Sequence, residues 1–312
     1  MNFTGLRTYT QMNDEQLKGL RRLEGICNEH DQIFLKLNWD MLTARTDNLA
    51  NDYVYTANGE IVGFLGIFQF SPSEVEISGM VHPKYRRQGI FSQLVKEAKQ
   101  ECRKRQVEKL IFICARSAQS GKGFLESIGS KYSFAEYWMK LDGGKELNSD
   151  FAACSAPIRL RSAEADDVDM LIKVNMDGFD LKEEEARGYV EGTLSSSVDR
   201  IHVIEIQQDN GEGLPIGKIH VMQEEGNAFL FGFSILSEHR GKGYGRWVLQ
   251  SMIRHIREHQ PSAMIELEVA VENDRALGLY TSCGFQVRNV NDYYVLELAS
   301  EPAERSSDSC MV

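Results

Sequence analysis

The chain has 312 residues, 42% hydrophobic and 26% charged, which predicts two globular domains rather than a disordered chain. Its net charge of −11 argues against nucleic acid as the main partner, and its apolar runs are too short to span a membrane. The six cysteines show no CxxC pair and no metal-ligand spacing, so we expect reduced thiols, no metal site and a cytoplasmic location.

A repeat with a period of 154 residues relates the two halves of the sequence. Residues 86–89 (RRQG) resemble residues 240–243 (RGKG), and Gly63 falls on Gly217 at the same offset. Arg7 falls on Arg161, again 154 residues later. This period is too long for a solenoid, so we expect two homologous domains, 1–145 and 156–299, with a flexible tail at 300–312.

In the first half, periodic segments predict four strands of the sheet and one helix before the turn-rich joint at 142–157. The clearest segments are strands at 64–70, 74–81, 110–115 and 137–141 and a helix at 91–105.

The second half predicts a fuller set of elements in the same order. Strands are expected at 158–162, 200–207, 216–222, 228–235, 263–271, 285–288 and 292–298. Helices are expected from Asp166 or Asp167 to about 178, and at 180–194, 246–259 and 274–283. The predicted fold class is α/β, with a mixed sheet flanked by helices in each domain.

A glycine-rich basic turn lies between the predicted strand ending at Ile235 and the helix that follows. Glycines at 241, 243 and 245 alternate with Lys242 and Tyr244, and Arg240 and Arg246 flank them. This spacing matches neither the P-loop nor the dinucleotide-binding fingerprint. Exposed N–H groups at a helix start bind anions, so the turn predicts a diphosphate site.

Two motifs then resemble the GNAT superfamily of N-acyltransferases. Residues 240–245 (RGKGYG) resemble its [RQ]xxGx[GA] signature, and residues 273–285 resemble its N…A…LY…GF segment. The resemblance covers 158–298 and, more weakly, 3–141. The layout is similar to that of tandem acetyltransferases of the mycothiol synthase type, in which one domain catalyses and the other has degenerated.

The resemblance implies that acetyl-CoA is the co-substrate, with its diphosphate on the turn and its pantetheine arm beside the preceding strand. The cofactor-binding residues that it implies in the second half are Ile235, Leu236, Arg240, Gly241, Lys242, Gly243, Tyr244, Gly245, Arg246 and Asn273. Their counterparts in the first half are Val81, Arg86, Arg87, Gln88 and Gly89. Asn273 is equally explained as a helix N-cap.

The same resemblance assigns Tyr280 as the acid that protonates the departing thiolate. The proton acceptor is less defined: Glu266 and Glu268 share one face of a strand, and we select Glu268, although both would suit a solvated face. His220 and His239 are lesser candidates.

The first half departs from the family pattern at two functional positions. Leu125 stands where the second half has Tyr280, and Phe91 stands where glycine or alanine is usual. We therefore expect the first domain to bind the coenzyme without catalysing, or to serve only as a wall of the acceptor site.

The predicted function is transfer of an acetyl group from acetyl-CoA to a primary amine by direct attack, since no cysteine aligns beside the turn as a covalent carrier. The alternative is a non-catalytic module that binds acyl-CoA. Residues 151–312 carry 15 Lys and Arg against 27 Asp and Glu. With Asp177, Asp180 and residues 183–185, this suggests a cationic small-molecule or peptide acceptor, although a solvated acidic face explains them as well.

Overall fold

The computed structural model describes residues 3–142, 157–194, 199–224 and 226–298. Its contacts divide the chain into two compact units, one made of residues 1–135 and 289–312 and the other of residues 136–288. The predicted tail at 300–312 and most of the predicted joint lie outside the described residues.

The first unit is built on an antiparallel meander followed by two strand–helix steps. Its elements are β1 (Gly5–Tyr9), α1 (Asp14–Asp31), α2 (Trp39–Thr43), β2 (Asp52–Ala57), β3 (Glu60–Gln69), β4 (Glu74–Val81), α3 (Ile90–Lys104), β5 (Lys109–Ala115), α4 (Gln119–Ser127) and the start of β6 (Lys131–Leu141). Asn13 begins α1 by accepting a hydrogen bond from Gln16 N while the Gln16 side chain accepts one from Asn13 N, a capping box.

The second unit repeats this order. Its elements are the end of β6, β7 (Ile158–Ser162), α5 (Val168–Phe179), α6 (Glu183–Leu194), β8 (Asp199–Gln207), β9 (Gly213–Glu224), β10 (Asn227–Ile235), α7 (Tyr244–His259), β11 (Met264–Ala270), α8 (Asp274–Ser282) and the start of β12 (Phe285–Glu297). The predicted mixed sheet flanked by helices is confirmed in both units, and most predicted elements lie within a few residues of their observed bounds.

The number of strands at the end of the chain was predicted wrongly. The strands expected at 285–288 and 292–298 are a single strand, β12. Residues 291–297 of β12 pair antiparallel with β5 of the first unit, and residues 136–140 of β6 pair with β11 of the second. Each unit therefore takes its last strand from the other half of the sequence, whereas the domains predicted at 1–145 and 156–299 are continuous. Strand pairing over such separations leaves no local pattern in the sequence.

The two central strands of each unit separate part of the way along their length. The parallel pair β4 and β5 is in register only from Glu74 to Ile77, and β10 and β11 only from Asn227 to Leu230. β10 also has a bulge between Phe231 and Ser234. Each unit thus has a cleft between its central strands, next to the turn that follows the first of them.

Helix α7 packs on the second unit's sheet through one apolar stripe, as its sequence predicts. Its fully buried side chains are Val248, Leu249, Met252, Ile253 and Ile256. Burial of each contributes roughly 1.5–3 kcal/mol to folding, so the start of α7 is held firmly against the end of β10.

The repeated glycines mark close approaches. A Cβ on Gly63 would lie 2.8 Å from the Ile90 side chain at the start of α3. A Cβ on Gly217 would contact the backbone of Ser234 in the bulge of β10. Both positions require glycine for packing rather than for a turn.

No helix among the described residues is long and apolar enough to cross a membrane. Within the same ranges, no cluster of three or more His, Cys, Asp or Glu side chains is placed to hold a metal ion. The described cysteines, Cys27, Cys102, Cys114 and Cys283, are buried and unpaired with one another.

Candidate active site

The turn between β10 and α7 has the geometry of an anion site. Gly241 and Gly243 adopt φ of +79° and +83°, which side chains rarely tolerate. Gly243 is the N-cap of α7, and no side chain caps the helix. The first N–H groups of α7 therefore keep their hydrogen-bonding capacity for a ligand.

The first unit keeps the same turn. Gly89 is the N-cap of α3 with φ of +75°, again without a side-chain cap. Arg87 has φ of +62° where the second unit has Gly241. The Gln88 side chain donates to Lys84 O at 3.3 Å, so it braces the turn. The repeat thus extends to backbone conformation.

One arginine in each turn holds the turn in place. Arg240 Nε donates to Ile235 O at 2.6 Å, and its guanidinium pairs with Asp177 at 2.6 Å. Arg86 makes the equivalent bonds to Val81 O at 3.0 Å and to Asp31 at 2.6 Å. Asp177 therefore neutralises Arg240, which differs from its predicted role as a charge that attracts the acceptor.

The aspartate of the first unit shows the strength of this pairing. Hydrogen bonds from the Arg86 guanidinium lower the pKa of Asp31 below its usual range, despite partial burial. Asp31 and Asp177 lie on helices that precede the turn by many residues, so the sequence alone did not connect them with it.

Another cation, which the sequence analysis missed, lies beside the second turn. Arg275, in the first turn of α8, places Nη2 3.9 Å from the position that a Cβ would take on Gly241. Because Arg240 is paired, Arg275 joins Lys242 and Arg246 as the charges available near the glycines. Its position after Asn273 and Asp274 in the family-like segment was the available signal.

The end of β10 leaves one backbone group facing the cleft. Leu236 N donates to Ile216 O at 2.8 Å, so this N–H is used within the sheet. Successive N–H groups of a strand point to opposite edges, so Ile235 N–H points to the edge of β10 that is no longer paired with β11. Of the two residues predicted beside the pantetheine arm, Ile235 offers the donor.

Tyr280 lies in α8 with 9% of its surface exposed, in one apolar cluster with Ile235, Tyr244 and Phe285. Burial raises the pKa of Tyr280 to about 12, so the phenol is protonated at neutral pH. Asn273 caps α8 by accepting a hydrogen bond from Ala276 N at 3.0 Å. The side-chain oxygen of Asn273 is therefore used as the N-cap of α8, which agrees with the capping explanation.

In both units an aromatic ring packs between the helix start and the preceding strand, but the ring belongs to the helix in the first unit and to the strand in the second. Phe91 at the start of α3 packs on Gly79 of β4, where a Cβ would lie 2.7 Å from the ring. One period later, a Cβ on Gly245 would lie 3.7 Å from the ring of Phe233. In each unit, one ring fills the space between the helix start and the strand, so Phe91 does not obstruct the turn.

A cavity of about 480 Å³ opens at the first unit's turn, between β4 and β5. Its lining includes Val81, Arg86, Arg87 and Gly89, together with Leu125 in the place of a tyrosine. The cavity thus brings together four of the five residues predicted to bind a coenzyme there, all except Gln88, and α4 carries no tyrosine.

The two candidate carboxylates lie on one face of β11, as predicted. Glu266 and Glu268 are half-buried and alternate with the buried Ile265, Leu267 and Val269. Burial raises the pKa of Glu266 above its usual range, although Lys140 opposes this effect.

A buried basic pair, of which the sequence analysis identified only His220, lies on β9. Lys218 and His220 are fully buried, and Lys218 Nζ is 2.9 Å from His220 Nε2. Burial lowers the pKa of Lys218 to about 7 and holds the pKa of His220 well below its usual range. A lysine and a histidine at alternate positions of an apolar strand were the signal in the sequence.

Replacing Lys218 by methionine is expected to stabilise the protein most at or below pH 7. Below about pH 7 both folded and unfolded chains carry the lysine proton, and the full cost of the buried charge is present. Between about pH 7 and 10.5 only the unfolded chain keeps it, so wild-type stability rises by about 1.4 kcal/mol per pH unit.

Urea unfolding of wild type and Lys218→Met at several pH values measures this effect. The stability difference should shrink as the pH rises from 7 to 9. A difference that stays constant over this range would contradict a buried neutral lysine.

Comparisons with known proteins identify the family of this chain. The family model described as acetyltransferase (GNAT) family matches residues 17–129 and again residues 175–285. An N-alpha-acetyltransferase from Sulfurisphaera tokodaii is 30% identical over 151 residues, which are 44% of this chain and 85% of that protein.

Solved structures share the fold over nearly the whole chain. A GCN5-related N-acetyltransferase from Sphaerobacter thermophilus has a TM-score of 0.73 at 16% identity and covers 94% of this chain and 95% of its own. A tandem GNAT protein from the clavulanic acid biosynthesis pathway has a TM-score of 0.69 at 18% identity, covering 97% and 100%. At these identities the likeness establishes the fold alone.

Proposed function

From the premise that this chain belongs to the acetyltransferase (GNAT) family and is an acyltransferase with two such domains, we propose that its second unit transfers an acetyl group from acetyl-CoA to a primary amine. The observation that carries the proposal is the combination, in that unit, of the uncapped α7 terminus and the protonated Tyr280 phenol. The first unit has the equivalent turn but Leu125 instead of the phenol.

The turn of the second unit fits a diphosphate. The N–H groups of Gly243, Gly245 and Arg246 point along the helix axis, where the partial positive charge of the helix end lies. Lys242, Arg246 and Arg275 would add full positive charges. Ile235 N–H would orient the thioester at the cleft, as a hydrogen-bond donor in the position of an oxyanion hole.

Acetyl-CoA supplies an activated acyl group, and the residues of the chain would manage the protons. Glu268 would accept, through water, the proton that the neutral amine loses as its nitrogen attacks, and Tyr280 would donate a proton to the leaving sulfur. Nitrogen attacks the thioester directly, so no covalent intermediate on the chain is needed.

The first unit would bind the same coenzyme without turnover. Three features support binding: the cavity, the start of α3 without a side-chain cap, and the open space at Gly89, where an added Cβ would meet no atom within 4 Å. Leu125 has no proton to donate, which supports the absence of catalysis there.

Release of free thiol from acetyl-CoA with a panel of amines tests the proposal. The panel includes a polyamine, an aminoglycoside and a peptide with a free amino terminus, because the Sulfurisphaera relative is named an N-alpha-acetyltransferase. We expect release with at least one amine. Coenzyme binding without release for any amine would favour the non-catalytic module instead.

A further inference from the structure

The buried pair on β9 has features that packing alone does not explain. Lys218 and His220 are both fully buried, and the described residues provide no carboxylate partner for Lys218. Among those residues, His220 Nδ1 is also buried without a hydrogen-bond partner. A buried ring nitrogen without a hydrogen-bond partner costs folding free energy, so its presence calls for an explanation such as a role in binding or proton transfer.

The pair lies at the part of β10 where the proposed reaction takes place. His220 pairs in register with Phe231, and Lys218 pairs with Ser234, on either side of the bulge. A Cβ on Gly232, within the bulge, would lie 3.2 Å from the His220 ring. The pairing of β10 with β11 ends at Leu230, one residue before Phe231, which is the partner of His220 in the register of β9 and β10.

Aromatic rings surround the pair. The Lys218 Nζ atom is 5.1 Å from the centre of the Tyr189 ring and 5.4 Å from that of Phe179. The His220 ring stacks on Tyr189 and meets the edge of Phe231. Such faces stabilise an ammonium group when Lys218 gains a proton.

We propose that His220 and Lys218 form a relay that takes the proton from the acceptor's ammonium group. His220 Nδ1 accepts this proton while the Nε2 proton of His220 passes to Lys218 Nζ. The acceptor is left as a neutral amine with a free electron pair, and the proton rests on Lys218. This inference rests on the proposed acetyl transfer.

The charges around the pair favour this direction of transfer. Burial, followed by the charges of Lys218 and of His202 on β8, disfavours a positive charge on His220, so the proton does not remain on the ring. Lys218 keeps a pKa of about 7, and burial is the cause. Tyr189 stacks on the His220 ring and Phe179 faces Lys218, and these partly exposed side chains, 40% and 44% exposed, are the ones that an acceptor would displace to reach the buried Nδ1.

A base with a pKa near 7 suits an amine acceptor better than an ordinary carboxylate. An alkylammonium has a pKa near 10.4 and a glutamate near 4.3. The relay therefore reduces the uphill proton transfer, and about half of the molecules have Lys218 deprotonated at pH 7.

The pH dependence of kcat/KM in Lys218→Met tests the relay. The wild-type rate should rise with pH and level off above an apparent pKa of about 7. Lys218→Met should be at least about 100-fold slower at pH 7.5 and should lose this inflection. Lys173→Met, an exposed lysine of α5, is the matched control and should follow the wild-type profile.

Glu268→Gln separates the roles of the two proton acceptors, because it should keep the inflection near pH 7. An inflection that persists in Lys218→Met, or that disappears in Glu268→Gln, would overturn the relay while leaving acetyl transfer intact. No thiol release by the wild type with any amine would instead refute the proposed function.

A second measurement is independent of activity. In ¹⁵N spectra of the full chain labelled at histidine, the signals lost in His220→Gln should shift with a midpoint near pH 7 in the wild type. Their failure to shift between pH 5.5 and 8.5 would overturn the inference.

Discussion

Tyr280→Phe is expected to lower kcat for acetyl transfer by about 10²–10⁴-fold, because the leaving thiolate loses its proton donor. The KM for acetyl-CoA should change less than about twofold, since the groups proposed to hold the diphosphate are at the start of α7. Steady-state thiol release measures both constants. An equal loss in kcat and in coenzyme affinity would contradict the acid role.

A matched control comes from the same cluster. Tyr137 is partly buried and packs against the core that contains Tyr280. Tyr137→Phe should leave kcat within about threefold of wild type. Because the pKa of Tyr280 is about 12, the wild-type rate should not decline between pH 8 and 10 through ionisation of this phenol.

Gly243→Glu is expected to abolish coenzyme binding in the second unit. A side chain at φ of +83° strains the turn, and a carboxylate at the helix start repels a diphosphate. Calorimetric titration with CoA should show two sites in the wild type and one in this variant, with no acetyl transfer.

Two variants separate strain from charge and one unit from the other. Gly243→Ala keeps the strain without the charge and should weaken binding much less. Gly89→Glu places the same carboxylate in the first unit, where it should remove one site and leave transfer intact. Unchanged affinity in Gly243→Glu would show that the diphosphate binds elsewhere.

The turn explains why these predictions differ between the units. Both units keep a left-handed glycine at the N-cap, Gly89 and Gly243, and both brace the turn with an arginine and an aspartate. Only α8 carries the phenol, at Tyr280. The groups proposed for binding and the group proposed for proton donation thus lie on different elements of the repeat.

Much of the architecture could be predicted because it depends on local patterns. The 154-residue repeat, the strand before each turn and the amphipathic stripe of α7 all follow from residue spacing within short segments. The position of the turn could also be predicted from its glycines, because few other residues adopt a positive φ.

Other features depended on residues far apart in the chain. The pairing of β12 with β5 and the bond from Arg240 to Asp177 join distant positions. A single sequence does not say which distant segments meet. The distant segments that pair are those whose association buries the most apolar surface in the folded chain.

The sequence by itself determined the family, the repeat and the position of the glycine turn, because short-range periodicity and backbone conformation encode them. Only the tertiary structure decided that each unit takes its last strand from the other half of the sequence and that Lys218 and His220 share a buried site on β9. Desolvation is the physical reason: the basicity of these two side chains depends on the helices and strands that cover them, not on their neighbours in sequence.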